Sequence, residues 1–237
     1  MRKIIKLFKS GNVCVTGLRG RGKDMLLSNV VTRRKLPYVS NVDYGAGFNP
    51  FDYSKIAVGN TYKNFISGQI NPYVFPYPDK TDFYISDAGI YFPSQYCNEL
   101  NKLYPDMPVF QALTRHLGDC NFHFNVQNLN RVWDKIREQS DIYILCRKCI
   151  YIPFLKIVIQ KVTIYDRVDS CLQRLKPFKL PIPLLATRQT KQQAKIALAT
   201  YEANHGAIQN RWLIYRNKSK YDTRLFKGVL ACEKENT

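Results

Sequence analysis

The chain has 237 residues, of which 45% are hydrophobic and 13% aromatic, and this composition excludes disorder throughout. Lys and Arg number 36 against 18 Asp and Glu, so the formal net charge is +18. This excess predicts an anionic partner, nucleic acid first and an anionic membrane surface second, the alternative being a protein that is merely basic.

The amino-terminal part predicts two strands separated by a helix. The basic segment Met1–Lys6 has too short an apolar run for a signal peptide. Asn12–Thr16 is typical of a buried strand. Lys23–Arg34 carries apolar residues at the spacing of a helix with one buried face, and Pro37 ends it. Tyr38–Val42 is then predicted as a second strand.

The middle of the chain alternates further strands with helices. Residues 43–80 are rich in Gly, Pro, Asn and Tyr and predict loops around one short helix. The predicted elements are that helix at Tyr62–Ile66, a strand at Phe83–Ser86, helices at Ser94–Leu103 and Pro108–His116, a strand at Asn121–Val126 and a short helix at Val132–Gln139. This alternation predicts an α/β P-loop fold with a largely parallel central sheet.

A long hairpin is expected next, with strands at Ile142–Cys146 and Ile150–Tyr165. The longest apolar stretch, Cys149–Ile159, contains Pro and Lys and is far shorter than the roughly 20 residues of a transmembrane helix. Cys146 and Cys149 form a lone CxxC, which favours buried thiols over a zinc site. The seven cysteines are odd in number and irregularly spaced, so a disulfide framework is not expected.

The composition changes after residue 175, where several prolines indicate a linker. Thr187–Asn204 predicts a polar helix, and the remaining residues are basic and irregular. We therefore expect a P-loop ATPase domain at 1–175 and a basic C-terminal extension at 176–237.

The strongest motif is the glycine-rich turn between the first strand and the first helix, which has the form GxxxxGK. Its glycines let the backbone wrap around phosphate at positive φ, and the following helix points its N-terminus at the anion. The predicted nucleotide-binding residues are Gly17, Leu18, Arg19, Gly20, Arg21, Gly22, Lys23, Asp24 and Met25. A site for ATP is therefore expected; a chance glycine-rich turn is the alternative.

Asp24 stands where such loops usually carry Ser or Thr, whose hydroxyl binds Mg²⁺. A carboxylate is also a hard oxygen ligand, so Asp24 is predicted to hold Mg²⁺. Its negative charge lies beside the phosphates, and Arg19 and Arg21 could offset it. The alternative is a site that binds nucleotide poorly.

Two polar residues follow buried strands. Asp87 comes after Phe83–Ser86, where P-loop enzymes place an acid that holds Mg²⁺ or polarises the attacking water, so we predict both roles for it. Gln127 ends the next strand, at the edge where open α/β sheets bind ligands, and it could orient water or sense the γ-phosphate. The alternatives are an Asp in a turn before Gly89 and simple strand termination.

Two arginines are candidates for catalysis in a neighbouring subunit. Arg115 and Arg137 could act as arginine fingers that reach the next nucleotide. Each is otherwise an ordinary surface arginine.

In this order the segments resemble the Zot-like family, named for zonula occludens toxin, which includes the assembly ATPases of filamentous phages. The resemblance covers roughly residues 10–145 and a patch near the end. Its parts are the phosphate loop, Ser40–Asp43, Ser86-Asp87-Ala88 (Asp-Glu-Ala in the family), Thr114–Gly118 (His-Arg-His-x-Gly in the family), Gln127 with Lys135-Ile136-Arg137, and Tyr221–Arg224.

Two departures from this family affect the interpretation. Ser86 stands where the family has its metal-holding Asp, and Asp87 stands at its catalytic Glu. The transmembrane helix and outer domain that often follow the family's ATPase are not found in this sequence, which weakens a role as a membrane channel by itself.

The resemblance implies an ATP- and Mg²⁺-dependent phage-type motor that moves DNA or drives virion assembly or extrusion. It implies a homo-oligomeric ring with DNA and phage coat or assembly proteins as partners. The expected location is the host cytoplasm, either at the inner face of the membrane or in association with the virion. Alternatives are a double-stranded DNA packaging ATPase, a nucleotide-binding adaptor without turnover, and a nucleotide kinase, which the basic excess disfavours.

Overall fold

The computed structural model describes residues 1–53, 77–105, 107–108, 110–112, 119–178 and 187–218. The strands are β1 (Val13–Thr16), β2 (Tyr38–Ser40), β3 (Phe48–Pro50), β4 (Asp82–Ile85), β5 (Phe122–Val126), β6 (Ile142–Ile152), β7 (Ile157–Tyr165) and β8 (Ile208–Arg216). The helices are α1 (Arg2–Ser10), α2 (Lys23–Arg34), α3 (Ala88–Tyr91), α4 (Cys97–Leu103), α5 (Asp134–Arg137), α6 (Val168–Leu172) and α7 (Arg188–His205).

The eight strands form one sheet in the order β3-β2-β4-β5-β1-β6-β7-β8. All pairs from β3 to β6 are parallel, whereas β7 is antiparallel to both β6 and β8. The predicted α/β fold with a largely parallel sheet is therefore confirmed. Because parallel strands end at the same edge, the residues that follow β1, β4 and β5 lie on one side of the molecule.

The core consists of two apolar layers on opposite faces of the sheet. Successive strand residues point to opposite faces, so Cys14 belongs to one layer and Val15 to the other. The second layer contains Leu26 of α2 together with Val162 of β7 and Leu213 of β8. We call the antiparallel strands β6, β7 and β8 the wing. The wing thus packs its inner face against the helix that follows the phosphate loop.

Several element boundaries differ from the predictions. Helix α1 was not predicted as an element, but it buries Ile4 and Phe8 completely. Strand β2 ends at Ser40, because the Ser40 hydroxyl accepts a bond from the Val42 amide at 3.0 Å and turns the chain. The predicted helix Ser94–Leu103 begins as a 3₁₀ turn, and the predicted helix at Val132–Gln139 contracts to Asp134–Arg137.

Some predicted elements fall on residues outside the described ranges. The predicted helix at Tyr62–Ile66 lies there entirely. Of Pro108–His116, residues 108 and 110–112 are described, and they are helical. Within the described ranges, no helix combines the length and apolar content needed to cross a bilayer.

The expectation of irregular structure after Asn204 is wrong for Ile208–Arg216, which pairs with the whole of β7. Strand alternation buries Leu213 and Tyr215 while Trp212 and Ile214 remain 57% and 67% exposed. The outward apolar residues hide this alternation in the sequence, so the strand was missed. A strand from beyond residue 175 therefore completes the sheet, and the proposed boundary there stays a prediction.

A buried ion pair joins the end of α2 to β4. The Arg34 guanidinium lies 2.8 Å from the Asp82 carboxylate, with side-chain exposures of 6% and 1%. Asp82 also accepts bonds from the Asn121 amide and the Tyr84 hydroxyl, each at 3.2 Å. Burial nevertheless raises the pKa of Asp82 to about 6. The two groups are buried together, so each partner depends on the other.

We predict that Asp82→Ala lowers the free energy of unfolding by about 3–5 kcal/mol, because it leaves the Arg34 charge buried without its counter-ion. Urea unfolding at neutral pH measures the change. Glu138→Ala is the matched control, since Glu138 is 59% exposed in its pair with Arg137 and its loss should cost at most about 0.5 kcal/mol. Equal stabilities of the two variants would contradict a structural role for the buried pair.

Candidate phosphate-binding site

The glycine-rich turn lies between the carboxyl end of β1 and the first residue of α2. Gly17, Gly20 and Gly22 have φ values of +144°, +75° and +76°, in the region that favours glycine. Helix α2 begins at Lys23, so its first backbone N–H groups have no acceptor inside the helix. The turn therefore has the strand–loop–helix context that the motif requires.

Two of the three glycines are also required by close packing against β6. A Cβ at Gly17 would lie 2.6 Å from the Cys146 carbonyl oxygen, and a Cβ at Gly22 would lie 2.6 Å from the Cys149 sulfur. A Cβ at Gly20 would meet no atom within 4 Å. The loop is therefore pressed onto β6 at both ends and is open in its middle.

Gln160 of β7 holds the second half of the loop. Its side-chain amide donates to the carbonyls of Arg21 and Gly22 at 2.9 and 3.1 Å. Its own carbonyl accepts a bond from the Tyr215 hydroxyl of β8 at 3.1 Å. Gln160 is completely buried, so these bonds offset the cost of desolvating its polar atoms. The wing thus fixes the loop through a side chain that lies far from it in sequence.

The remaining loop side chains divide by exposure. Leu18, Arg19 and Arg21 are exposed, so the two arginines are free to meet an anion. Lys23 is only 4% exposed, and the side chain of Met25 packs against the core layer around α2. Any contribution of Met25 to binding is therefore limited to its backbone.

Asn125 of β5 connects the loop to the strand end of β4. Its amide group donates to the Asp24 carboxylate at 2.7 Å, and its carbonyl accepts a bond from the Asp87 backbone N–H at 2.8 Å. The same amide lies 3.4 Å from the Ser86 hydroxyl. One buried side chain thus brings together Asp24, Ser86 and Asp87, the residues predicted from separate parts of the sequence.

Asp87 occupies a strained and charged position. Its φ is +48°, in the left-handed region, and its preceding residue Ser86 is held on both backbone groups by the side chain of Asn41. Burial and the nearby charge of Asp24 raise the pKa of Asp87, while Lys23 lowers it. The two carboxylates are therefore close enough to repel one another, with a lysine beside them.

The other predicted catalytic residues are placed differently. Gln127 is exposed and lines a cavity of about 240 Å³ together with Thr16 and Gly17, so it lies at the same edge as the loop. Arg137 is on α5, before the amino end of β6, and pairs with Glu138 of its own chain at 3.6 Å. Arg115 lies outside the described residues. Catalytic roles for these three residues stay predictions.

Sequence reasoning missed Asn125, Gln160 and Tyr215, and it included Asn41 only within the Ser40–Asp43 run, without a role. For Asn125 the available indication was a buried polar residue between Phe124 and Val126. Gln160 is similarly the one polar inward residue of β7 between Val158 and Val162. A buried amide needs partners, so both positions could have been flagged, although their partners could not have been named.

The sheet order, the GxxxxGK loop between β1 and α2, and the carboxylates at the same edge define the fold of a P-loop NTPase. No protein-family profile and no curated protein sequence matches the chain. Among solved structures, the chain is similar to the N-terminal domain of zonular occludens toxin from Neisseria meningitidis, at 9% identity and a TM-score of 0.45. That match covers 92% of this chain and 97% of the other.

A second similar structure is the genome packaging NTPase B204 from Sulfolobus turreted icosahedral virus 2 in complex with ATP-gammaS. Its identity is 15%, its TM-score 0.38, and the match covers 88% of this chain and 92% of that one. ATPases 2 and 3 of EssC from Geobacillus thermodenitrificans match at 10% identity and a TM-score of 0.41. That match covers 97% of this chain and 44% of the other. The zonular occludens toxin domain among these structures belongs to the family that the sequence resembles.

We predict that Gly22→Ala destabilises the protein more than Gly20→Ala. Both substitutions place a Cβ at positive φ and should cost about 1 kcal/mol, but that of Gly22 also meets the Cys149 sulfur. The additional loss of unfolding free energy should be at least about 1 kcal/mol, measured by urea unfolding.

A double-substitution cycle tests the cause. Cys149→Ala removes the sulfur, so it should recover part of the loss in Gly22→Ala and none of that in Gly20→Ala. Equal costs for the two glycines, or no rescue, would show that the loop does not press on β6.

Proposed function

We propose that the chain is an ATPase of the phage-motor type, which binds ATP and Mg²⁺ at Gly17–Asp24 and hydrolyses the nucleotide to move DNA or to drive virion assembly or extrusion. The observation that supports turnover is the Asn125 bridge, because it links the loop residue Asp24 to Asp87 at the end of β4. A binding module needs the loop alone, whereas hydrolysis needs a carboxylate beside it.

Different residues of the chain bind the phosphates, accept the proton and orient the attacking water. The backbone of the loop and the Lys23 ammonium hold the phosphates, with Arg19 and Arg21 exposed at the loop's surface. Asp87, the carboxylate that follows β4, accepts the proton of the attacking water. Gln127, which borders the loop through a shared cavity, orients that water.

The residues at this edge fit Mg²⁺. The ion prefers oxygen ligands and is usually held by one or two carboxylates together with substrate phosphates. Asp24 and Asp87 supply two carboxylates and Ser86 a hydroxyl. Among the described residues there is no group of three or more His, Cys, Asp or Glu side chains suited to a metal, so the phosphates would complete the site. When bound, Mg²⁺ would neutralise charge on the phosphates.

The partners in this proposal follow from charge and from the Zot-like resemblance. A formal charge of +18 suits DNA, because each phosphate neutralised by Lys or Arg releases counterions.

The resemblance supports a ring of identical subunits, with Arg115 or Arg137 as arginine fingers, and phage coat or assembly proteins as further partners. Residues 1–175, completed by strand β8, would form the motor, and the rest of 176–237 a basic extension. The protein would act in the host cytoplasm, at the membrane's inner face or on the virion. A double-stranded DNA packaging ATPase is the nearest alternative.

One observation favours an adaptor that binds nucleotide without turnover. Asp24 replaces the usual hydroxyl and is engaged by Asn125, and Ser86 stands where the resembling family has a metal-holding Asp. The experiments below separate binding from turnover.

Lys23→Ala should weaken the binding of a non-hydrolysable ATP analogue by at least about 100-fold, because it removes the charge that faces the phosphates. Lys35→Ala, an exposed lysine at the other end of α2, is the control and should bind as wild type does. Isothermal titration measures both. Since Lys23 is 4% exposed, Lys23→Met keeps the aliphatic packing and tests the charge alone. Unchanged affinity in both Lys23 variants would reject the phosphate-loop assignment.

Asp87→Asn should lower ATP turnover by at least about 100-fold while leaving binding largely intact, because it keeps the shape and removes the base. Asp134→Asn, at an exposed helix start, is the control with the same chemical change. Phosphate release is measured at several protein concentrations, with and without double-stranded DNA, since a ring can be inactive as separate subunits. Wild-type turnover in Asp87→Asn, or none above background in the wild type, would favour the adaptor.

A further inference from the structure

Two cavities of opposite character adjoin one another at the far end of the wing. The first, of about 790 Å³, is lined by five cationic side chains, Arg33, Lys35, Lys156, Arg216 and Lys218, and by no acidic one among the described residues. The second, of about 530 Å³, is lined by Phe154, Leu155, Ile157, Ile214 and Tyr215 and shares Arg216 with the first. A basic cavity and an apolar cavity therefore meet at a single arginine.

The turn between β6 and β7 exposes large apolar side chains at this place. Phe154 is 84% exposed and Leu155 48%. The outer face of the wing continues the apolar surface, because Ile150, Ile159 and Ile214 are cross-strand neighbours on β6, β7 and β8. A contiguous apolar surface of this kind on a folded domain marks an interaction site.

The charge around this surface has one sign. Residues 142–165 and 208–218 contain no Asp or Glu, although they include seven cations, Arg147, Lys148, Lys156, Lys161, Arg211, Arg216 and Lys218. Exposed cations of α1 stand close by, since Ile5 of that helix lines the basic cavity. They are Arg2, Lys3, Lys6 and Lys9. The partner of this surface is therefore both apolar and anionic.

Three classes of partner can be compared on these grounds. A second copy placed face to face would bring two sets of like charges together, which is unfavourable. DNA would match the cations but would leave the isoleucine surface and Phe154 exposed, because its outer surface is phosphate. An anionic phospholipid bilayer offers acyl chains for the apolar groups and phosphates for the cations.

We propose that this end of the wing docks on the surface of an anionic phospholipid bilayer. Phe154 and Leu155 enter the interface between headgroups and acyl chains, where amphipathic surfaces bury their apolar side chains. The cations of the larger cavity bind the headgroup phosphates, and Arg216 lies at the boundary between the two layers. This docking depends on neither nucleotide nor turnover, so it stands independently of the ATPase proposal.

Vesicle flotation with the full chain tests the docking. The probes are vesicles of phosphatidylcholine alone and vesicles with about 30% phosphatidylglycerol, which supplies the negative surface potential. The wild type should float with the anionic vesicles, and added salt should weaken its binding. The neutral vesicles should leave it in solution, because an apolar tip of two side chains alone anchors weakly.

Two paired variants separate the apolar and the charged contributions. Phe154→Ser with Leu155→Ser should reduce the bound fraction at least about tenfold, since it removes the apolar anchor. Lys156→Gln with Arg216→Gln should weaken binding about 25-fold, at about fivefold for each cation near an anionic surface. The matched control is Lys102→Gln with Leu103→Ser on α4, where Leu103 is 64% exposed, and it should float as the wild type does. Circular dichroism establishes that each variant is folded.

Several results would overturn the proposal. One is no flotation of the wild type with anionic vesicles, and another is equal flotation of wing and control variants. A loss of double-stranded DNA binding in the wing variants without any vesicle binding would assign the surface to nucleic acid. Self-association that the Phe154 and Leu155 substitutions abolish, again without vesicle binding, would assign it to a second copy.

Discussion

The two hydrogen bonds from the Gln160 side chain to the phosphate loop are the interaction on which the rest of this architecture depends. A loop that wraps an anion with backbone N–H groups cannot bury apolar side chains of its own, so it must be held through its carbonyls and its glycines. Gln160 holds the carbonyls of Arg21 and Gly22, while β6 presses on Gly17 and Gly22. The Tyr215 hydroxyl of β8 donates to the carbonyl of the same amide and helps to orient it. The three-stranded wing thus supports the geometry of the loop.

A second constraint is electrostatic and acts on the opposite side of the loop. Asp24 in the first turn of α2 is favoured by the helix dipole, but it lies near Asp87 and contributes to the raised pKa of that residue. Asn125 is neutral and binds the Asp24 side chain with one end and the Asp87 backbone with the other. It therefore ties the Asp24 side chain to the backbone at Asp87 without adding a charge of its own.

The parts of this site that could be predicted from sequence are those whose partners lie nearby in the chain. The strand, the glycines and Lys23 follow one another within a dozen residues, so spacing alone predicts their geometry. Helix α7 was predicted within one residue at each end, and the Thr187 hydroxyl caps it locally by accepting a bond from the Thr190 N–H. Asn125 and Asp24, by contrast, are 101 residues apart, and Gln160 lies 139 residues from Arg21. A buried amide in a strand indicates that a partner exists, and only the fold shows which residue it is.

Strand alternation places the contact to the phosphate loop and the proposed docking surface on adjacent residues of the wing. In β8, Tyr215 points inward and completes the bond relay to the phosphate loop, whereas Ile214 and Arg216 on either side point outward into the proposed docking surface. A strand is stiff over so short a distance, because its cross-strand bonds to β7 continue along its whole length. The residues that hold the loop and the residues of the proposed docking surface therefore alternate along one strand.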